Sequence, residues 1–508
     1  MPNSIKNPRK TGGSGADDHQ TLIGAPGFEP GTSATQRPRA TRLRHAPQTL
    51  RVDVPGAPTD IAPGPTAALT RPGLPALLAS ATAMAEIQPL RALHYDPSVA
   101  GSLADITAPP YDVIDADQRA ALLARSPYNI VAIDLPEGEP DRYAAAANML
   151  EAWQLQGALV RDGEPAIWAH TQDYTGPDGR RLTRRGFYCR VRIEEYGPGR
   201  VRPHERTHPG PKEDRLRLTR ATRANISPIF SLYSDPTQAA WAALEPATTA
   251  APGGKVTDAE GTTHRLWRVT DPQAIAAVQE ATRDAELLIA DGHHRYETMQ
   301  AYAQEVGGEG EHRYILMCLV ALQDPGLTVF PTHRLIGDLD EDRRRALQHA
   351  LEREFEIAEV PVAQIAPPGQ PGQPSSAMTP LQLGYIDNRD GRALRLTLKD
   401  QTIADTALQG RSEAYRHLDT GVLEALLLKG ALGLSDEDIS HLNGLFYARS
   451  TEEALELVRT GAYEAAFFMR PTPVAQVRDV AAAGENMPPK STFFFPKLLT
   501  GLLLNPLA

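Results

Sequence analysis

The stretch Glu286-Leu-Leu-Ile-Ala-Asp-Gly-His-His-Arg-Tyr296 decides how this 508-residue chain is read. Glu286–Ala290 is a short, mostly apolar run of strand length, and a helical pattern over Arg295–Val306 follows it. Gly292 stands at the strand-to-helix turn, where a missing Cβ lets the backbone approach a ligand closely. The amide groups that open the helix, together with its dipole, attract phosphate. Arg295 adds a fork of donors suited to phosphate oxygens. His293 and His294 can donate to phosphate or move a proton near neutral pH. Asp291 can hold Mg²⁺ or accept a hydroxyl proton. These residue types in consecutive positions suit phosphoryl transfer. The plain alternative is a helix start with Asp291 as its cap. Adjacent histidines point in different directions on a helix, which argues against a His–His zinc pair.

A second dense segment lies upstream, between Arg200 and Arg223, with eight Arg and Lys residues. His204 and Glu205 precede the Pro209-Gly-Pro211 break, and Lys212–Thr222 then fits a helix with Leu216 and Thr219 on one side. Lys212, Arg215 and Arg217 are candidates to neutralise a phosphate or carboxylate, and Glu205 is a candidate catalytic group on a loop. The alternative is a solvated helix with a Glu213–Arg217 pair, worth ~0.2–0.5 kcal/mol. The rigid turn Ala108-Pro-Pro-Tyr-Asp112 offers Tyr111 and Asp112 to a substrate pocket, as His204 and Asn225 do from the second segment; Tyr111 equally suits a packed corner. Near the C-terminus, Lys490, Ser491, Thr492 and Lys497 are further candidates for phosphate contact, with Phe493–Phe495 as buried packing. Walker A, dinucleotide-fold and nucleophile-elbow patterns are absent.

Around these segments, strands and helices alternate without a repeat. Helices are expected at Asp117–Ala124, Asp141–Leu159, Asp340–Phe355 and Val422–Leu432. Strands are expected at Ile87–Leu93, Tyr128–Leu135, Ala166–Tyr174, Arg184–Ile193, Tyr314–Leu322, Leu381–Asp387, Ala393–Leu398 and Glu464–Met469. The sum is a mixed α/β (α+β) fold, a sheet flanked by helices. The expected organisation is a disordered leader over 1–83, a main α/β domain over 84–360 that holds the Asp-Gly-His-His-Arg motif, a Pro-rich loop over 361–377, and a C-terminal α/β portion over 378–508 packed on the main domain.

Residues 1–84 hold 12 of the 44 prolines and a net charge of +4, against −11 for the chain. Such a segment buries too little surface to offset its ordering entropy. Gly24–Arg44 resembles a conceptually translated transfer-RNA gene, and Met84 is the expected start of the protein. The acidic balance argues against duplex nucleic acid and anionic lipid as partners. Only Cys189 and Cys318 are present, too few for a disulfide scaffold or a Cys-based zinc cluster. No apolar run reaches the ~20 residues of a membrane span, and the expected compartment is the cytoplasm.

Several of these stretches resemble the bacterial and archaeal family known as domain of unknown function 1015 (DUF1015): Ile87–Pro97, Ile106–Ile114, His204–Asp235, Ile289–Gln304 and Met487–Leu503. A second resemblance is to the ParB/sulfiredoxin-type nucleotide-binding fold. Its free serine kinases carry an Asp-Gly-His-His-Arg-type motif, here Asp291–Arg295, that contacts nucleotide phosphates. Sulfiredoxin needs a cysteine in this segment, and this chain has none. The serine kinases also use a catalytic Glu near the N-terminus, for which Glu86 and Glu205 are candidates.

The reading is a nucleotide-dependent phosphotransferase that uses ATP or ADP with Mg²⁺ on the hydroxyl of a small metabolite, free serine being one candidate. Asp291, His294 and Glu205 are its catalytic candidates. Gly292, His293, Arg295, Lys212 and Arg215 are its phosphate-binding candidates, and Asp291 its metal ligand. A non-catalytic nucleotide or phosphometabolite sensor, a phosphatase and a ParB-like DNA-associated regulator are the alternatives.

Overall fold

The computed structural model describes residues 85–508 apart from 139, 177–178, 199, 206–208 and 370–379. The expectations for the leader therefore lie outside the described residues. The fold is mixed α/β, as its sequence pattern implies, and two sheets organise it.

The larger sheet has nine strands. Its central ladder is Arg181–Arg192 between Ile167–Thr175 and Tyr314–Ala321, both antiparallel to it. Tyr314–Ala321 continues parallel to Ile229–Tyr233, which pairs antiparallel with Leu287–Asp291. The alternation that makes these strands also divides the core. Ile315, Met317 and Leu319 pack on one face of the sheet, while Leu316, Cys318 and Val320 pack on the other. Both faces are covered, so Tyr314–Ala321 reads as an unbroken apolar run rather than as an alternating one. Helices Pro209–Thr222 and His293–Val306 cover the first face through Leu216, Tyr296 and Met299. Helix Val474–Ala482 and the chain from Phe494 to Leu503 cover the second. Each fully buried Leu, Ile or Phe contributes roughly 1.5–3 kcal/mol.

The smaller sheet has six antiparallel strands: Phe355–Glu359, Leu394–Leu398, Gln382–Asp387, Ala465–Phe468, His333–Ile336 and Leu445–Ala448. Its strands come from both sides of the 361–377 segment, and the chain leaves the larger sheet at Ala321 and enters the smaller one at His333. The chain then returns. Phe493–Phe495 pairs with Thr328–Phe330, Thr500 bridges to Ala108, and Asn505 pairs with Asn225.

Three local expectations are corrected. Ile87–Leu93 is not one strand: Ile87–Gln88 pairs with Arg190 and Val191, and Leu93–Tyr95 is a separate strand paired with Leu159–Arg161. Tyr128–Leu135 is not a strand; Val131–Asp134 is a short helix. Its start is held by the buried Asn129, whose side-chain oxygen accepts the Val131 N–H at 3.0 Å. Burial on all sides made this apolar run uninformative about period. Strands Ile229–Tyr233 and Thr263–Val269 were not expected. The Val422–Leu432 helix is present but divided, with a π-helical stretch over Glu424–Ala431.

Candidate active site

The Leu287–Asp291 strand ends in a bulge. Leu288 faces Leu232 and Ile289 faces Ser231, but it is Asp291 that faces Phe230, so Ala290 is an extra residue. A bulge of this kind re-aims the next side chain. Gly292 follows with φ 102° and ψ 27° and serves as N-cap of helix His293–Val306, with no side chain capping the first turn. A Cβ at Gly292 would sit 3.1 Å from Arg295 Nε and 3.2 Å from Ile229 Cγ1, so a side chain there is strained by conformation and would push on both neighbours. Asp291 thus belongs to the strand and does not cap the helix.

A cavity of about 420 Å³ opens at this turn. Asp291, Gly292, His293, His294 and Arg295 line it, and so do Tyr111, Asp112 and Glu205. Lys490, Thr492, Phe493 and Lys497 form the wall contributed by the returning chain. A smaller pocket of about 40 Å³ adjoins it through Tyr111 and Arg295, and Arg215 and Asn225 line that one. Neither cavity includes Lys212 or His204 in its lining, and Glu86 also lies elsewhere.

Electrostatics centre on Asp291. Lys497 Nζ donates to its Oδ2 at 3.3 Å, and an Arg295 guanidinium nitrogen lies 3.6 Å from the same oxygen. Burial alone would push this carboxyl up; Lys497 and then Arg295 outweigh it and hold the group well below the usual carboxylate range. Arg295 also donates to the Pro228 carbonyl, which fixes its fork beside the glycine. His293 is buried, and desolvation, followed by the neighbouring His204, keeps its ring neutral. Its Nε2 accepts the His204 N–H at 3.3 Å, so only Nδ1 has a proton to give. His204 in turn donates from Nδ1 to the Ile289 carbonyl at 2.7 Å and accepts at Nε2 from Thr492 at 2.9 Å. It ties the strand to the returning chain.

The basic helix is largely engaged with its own neighbours. Lys212 donates to Glu297 at 2.7 Å. Arg215 donates to Asp134 at 3.0 Å and to Asp214 at 2.6 Å, and its guanidinium lies 4.3 Å from the centre of the Tyr111 ring. Burial pushes the Tyr111 phenol up to about 12. Leu442, Phe446, Tyr447 and Arg449 complete the cavity from the smaller sheet and its preceding turn. None of the four carries a motif that sequence reasoning could have used. No group of three metal-ligating side chains forms among the described residues. Mg²⁺ commonly takes one or two carboxylates and fills its shell with water and phosphate oxygens. Asp291 is the carboxylate of the turn in this lining, and its Oδ2 already faces Lys497 and Arg295.

Fold and cavity together define a two-sheet α/β protein with a cleft at a strand end, lined by Arg295, Arg449, Lys490 and Lys497 and by Asp112, Glu205 and Asp291. Residues 87–420, well over half of the chain, match the family described as "Protein of unknown function (DUF1015)", and the chain belongs to that family. No curated protein matches it. Among solved structures, a conserved hypothetical protein from Pyrococcus furiosus is similar at 16% identity and a TM-score of 0.29, over 58% of this chain and 86% of its own. A free serine kinase in complex with AMP is similar at 14% identity and a TM-score of 0.30, over 58% of this chain and 83% of its own. SbnI with a C-terminal truncation from Staphylococcus aureus is similar at 10% identity and a TM-score of 0.30, over 60% of this chain and 84% of its own. Among the described residues, no helix is long and apolar enough to cross a membrane.

Proposed function

We propose that this protein is a nucleotide-dependent phosphotransferase acting on the hydroxyl of a small metabolite. The observation that carries the reading is the convergence of Asp291, Lys497, Arg295 and an uncapped helix start on one cavity of about 420 Å³. That volume suits a nucleotide. Arg295, Lys497 and Lys490 would neutralise phosphate oxygens, and the first-turn amides after Gly292 would donate to them. Among the described residues Lys490 and Arg449 form no ion pair, which supports a role toward an anion from outside.

In the transfer, the acceptor hydroxyl oxygen bonds to the terminal phosphorus and the bond to the nucleotide's bridging oxygen breaks. ATP leaves as ADP, or ADP as AMP, and the hydroxyl proton passes to a protein base. A carboxylate clamped by two cations is a weak base. Asp291 therefore suits positioning, with Mg²⁺ supplying charge neutralisation when bound, while Glu205 and His294 are the proton acceptors within the same lining. The test is incubation of the full chain with ATP or ADP, Mg²⁺ and a panel of hydroxyl metabolites, read by mass spectrometry for new phosphomonoesters. Product that disappears in Asp291→Asn is expected. Nucleotide binding with no product from any acceptor would turn the reading to a sensor, and absence of both would end it.

A further inference from the structure

Eight of the nineteen residues that line the cavity lie beyond residue 420, outside the segment that matches the family. They form a continuous wall. From Asp291 it passes to Lys497, whose ammonium lies 4.9 Å from the centre of the Phe493 ring. The Arg449 guanidinium also lies 4.9 Å from that ring centre. Arg449 follows directly on Leu445–Ala448, an edge strand of the smaller sheet that carries Phe446. The Phe446 ring is held by Tyr463, with centroids 5.5 Å apart and planes 18° from parallel, yet Phe446 stays 38% exposed. Leu442, 47% exposed, lies in the same lining. Among the described residues, seven large apolar side chains are exposed; these two are the pair that share a cavity, and Phe446 is the aromatic one.

We infer that Phe446, backed by Tyr463 and flanked by Leu442, is the stacking platform for the nucleobase of the bound nucleotide. This rests on the phosphotransferase reading for the phosphate end of the same cavity. A ring already packed on a neighbour and still 38% exposed loses little freedom on stacking, and base–aromatic stacking tolerates any base because each has a π-face. The cations at Lys497, Lys490 and Arg449 share this lining with Phe446, which matches a ligand with an anionic tail and a planar, apolar head. The smaller sheet would then set affinity for the nucleoside, while the Asp291–Arg295 turn holds the phosphates.

Calorimetric titration of the full chain with ATP and with inorganic tripolyphosphate separates the two ends. In Phe446→Ala, ATP affinity should fall roughly ten- to a hundredfold while tripolyphosphate affinity is unchanged. Phe446→Trp should keep ATP affinity. Unchanged ATP affinity in Phe446→Ala overturns the inference, as does equal loss of both ligands. Tripolyphosphate bound by the wild type as tightly as ATP removes the base platform and leaves the phosphate site standing. If the wild type binds neither, the phosphotransferase reading falls and the platform with it.

Discussion

Lys497 Nζ lies 3.3 Å from Asp291 Oδ2, although 206 residues separate the two in sequence. The pair joins the strand-end turn to the returning chain and keeps the carboxylate charged inside the protein. In Lys497→Met, Arg295 remains as the nearby cation on that oxygen, and the carboxyl shifts upward toward its ordinary range. Breaking a largely buried pair costs on the order of 3 kcal/mol. Thermal unfolding should show that loss, and nucleotide affinity should fall in parallel. Asp291→Asn keeps the shape and should abolish turnover with the fold intact by circular dichroism; a variant with full turnover would remove Asp291 from the mechanism.

Gly292→Ala is expected to be costly for two reasons. The backbone conformation, φ 102°, disfavours any side chain, and the new methyl would meet the Arg295 guanidinium. A penalty of about 1–3 kcal/mol follows from strain of this kind. Displacement of Arg295 should also weaken phosphate binding. Wild-type affinity for tripolyphosphate in a correctly folded variant would show that the turn tolerates the methyl.

Buried histidines make the protein acid-labile. His264 donates to Asp258 at 3.1 Å, His170 lies 3.3 Å from His264, and Cys318 lies 3.8 Å from His170; burial holds both rings neutral, in His264 against the opposing pull of Asp258. Burial lowers the His170, His264 and His333 values, His333 to about 4. A depressed folded-state value means the unfolded chain takes up the proton first. Stability is therefore full above about pH 6.5 and declines as the pH falls toward 4. His333 alone should account for roughly 2 kcal/mol between pH 7 and pH 5. Chemical denaturation at both values checks this, and His333→Gln should show the smaller loss.

Arg184 is almost completely buried and, among the described residues, has no carboxylate in ion-pair range. It donates to Gln172 at 2.9 Å and to the Pro496 carbonyl, while Gln172 donates to the Lys497 carbonyl at 2.9 Å. The pair pins the main chain next to the Asp291 partner. Gln172→Leu should cost about 1–3 kcal/mol by leaving the guanidinium short of an acceptor. It should also weaken nucleotide binding, though Gln172 lines neither cavity. Unchanged affinity together with lowered stability would confine the pair to a packing role.

Much of this was legible locally. The apolar run before Asp291, the glycine at 292 and the helix after it are short-range signals, and all three elements form where the pattern puts them. Lys490, Thr492 and Lys497 stood out as polar groups bounded by prolines, but nothing local tied them to Asp291. Leu442 and Phe446 were invisible as site residues because an exposed apolar side chain has no signature until its neighbours are known. Tyr128–Leu135 misled for the opposite reason: burial on every side erased the period that separates strand from helix.

The returning chain has a consequence for biosynthesis. Lys490, Thr492, Phe493 and Lys497 reach the strand-end turn only after 199 to 206 residues beyond Asp291 have been made. Chains emerging from the ribosome fold from the N-terminal side first. The larger sheet could then assemble around an incomplete pocket, with Asp291 lacking its lysine until translation has passed residue 497. Competence to hold a ligand would therefore await synthesis through residue 497 rather than arise in an earlier folding unit.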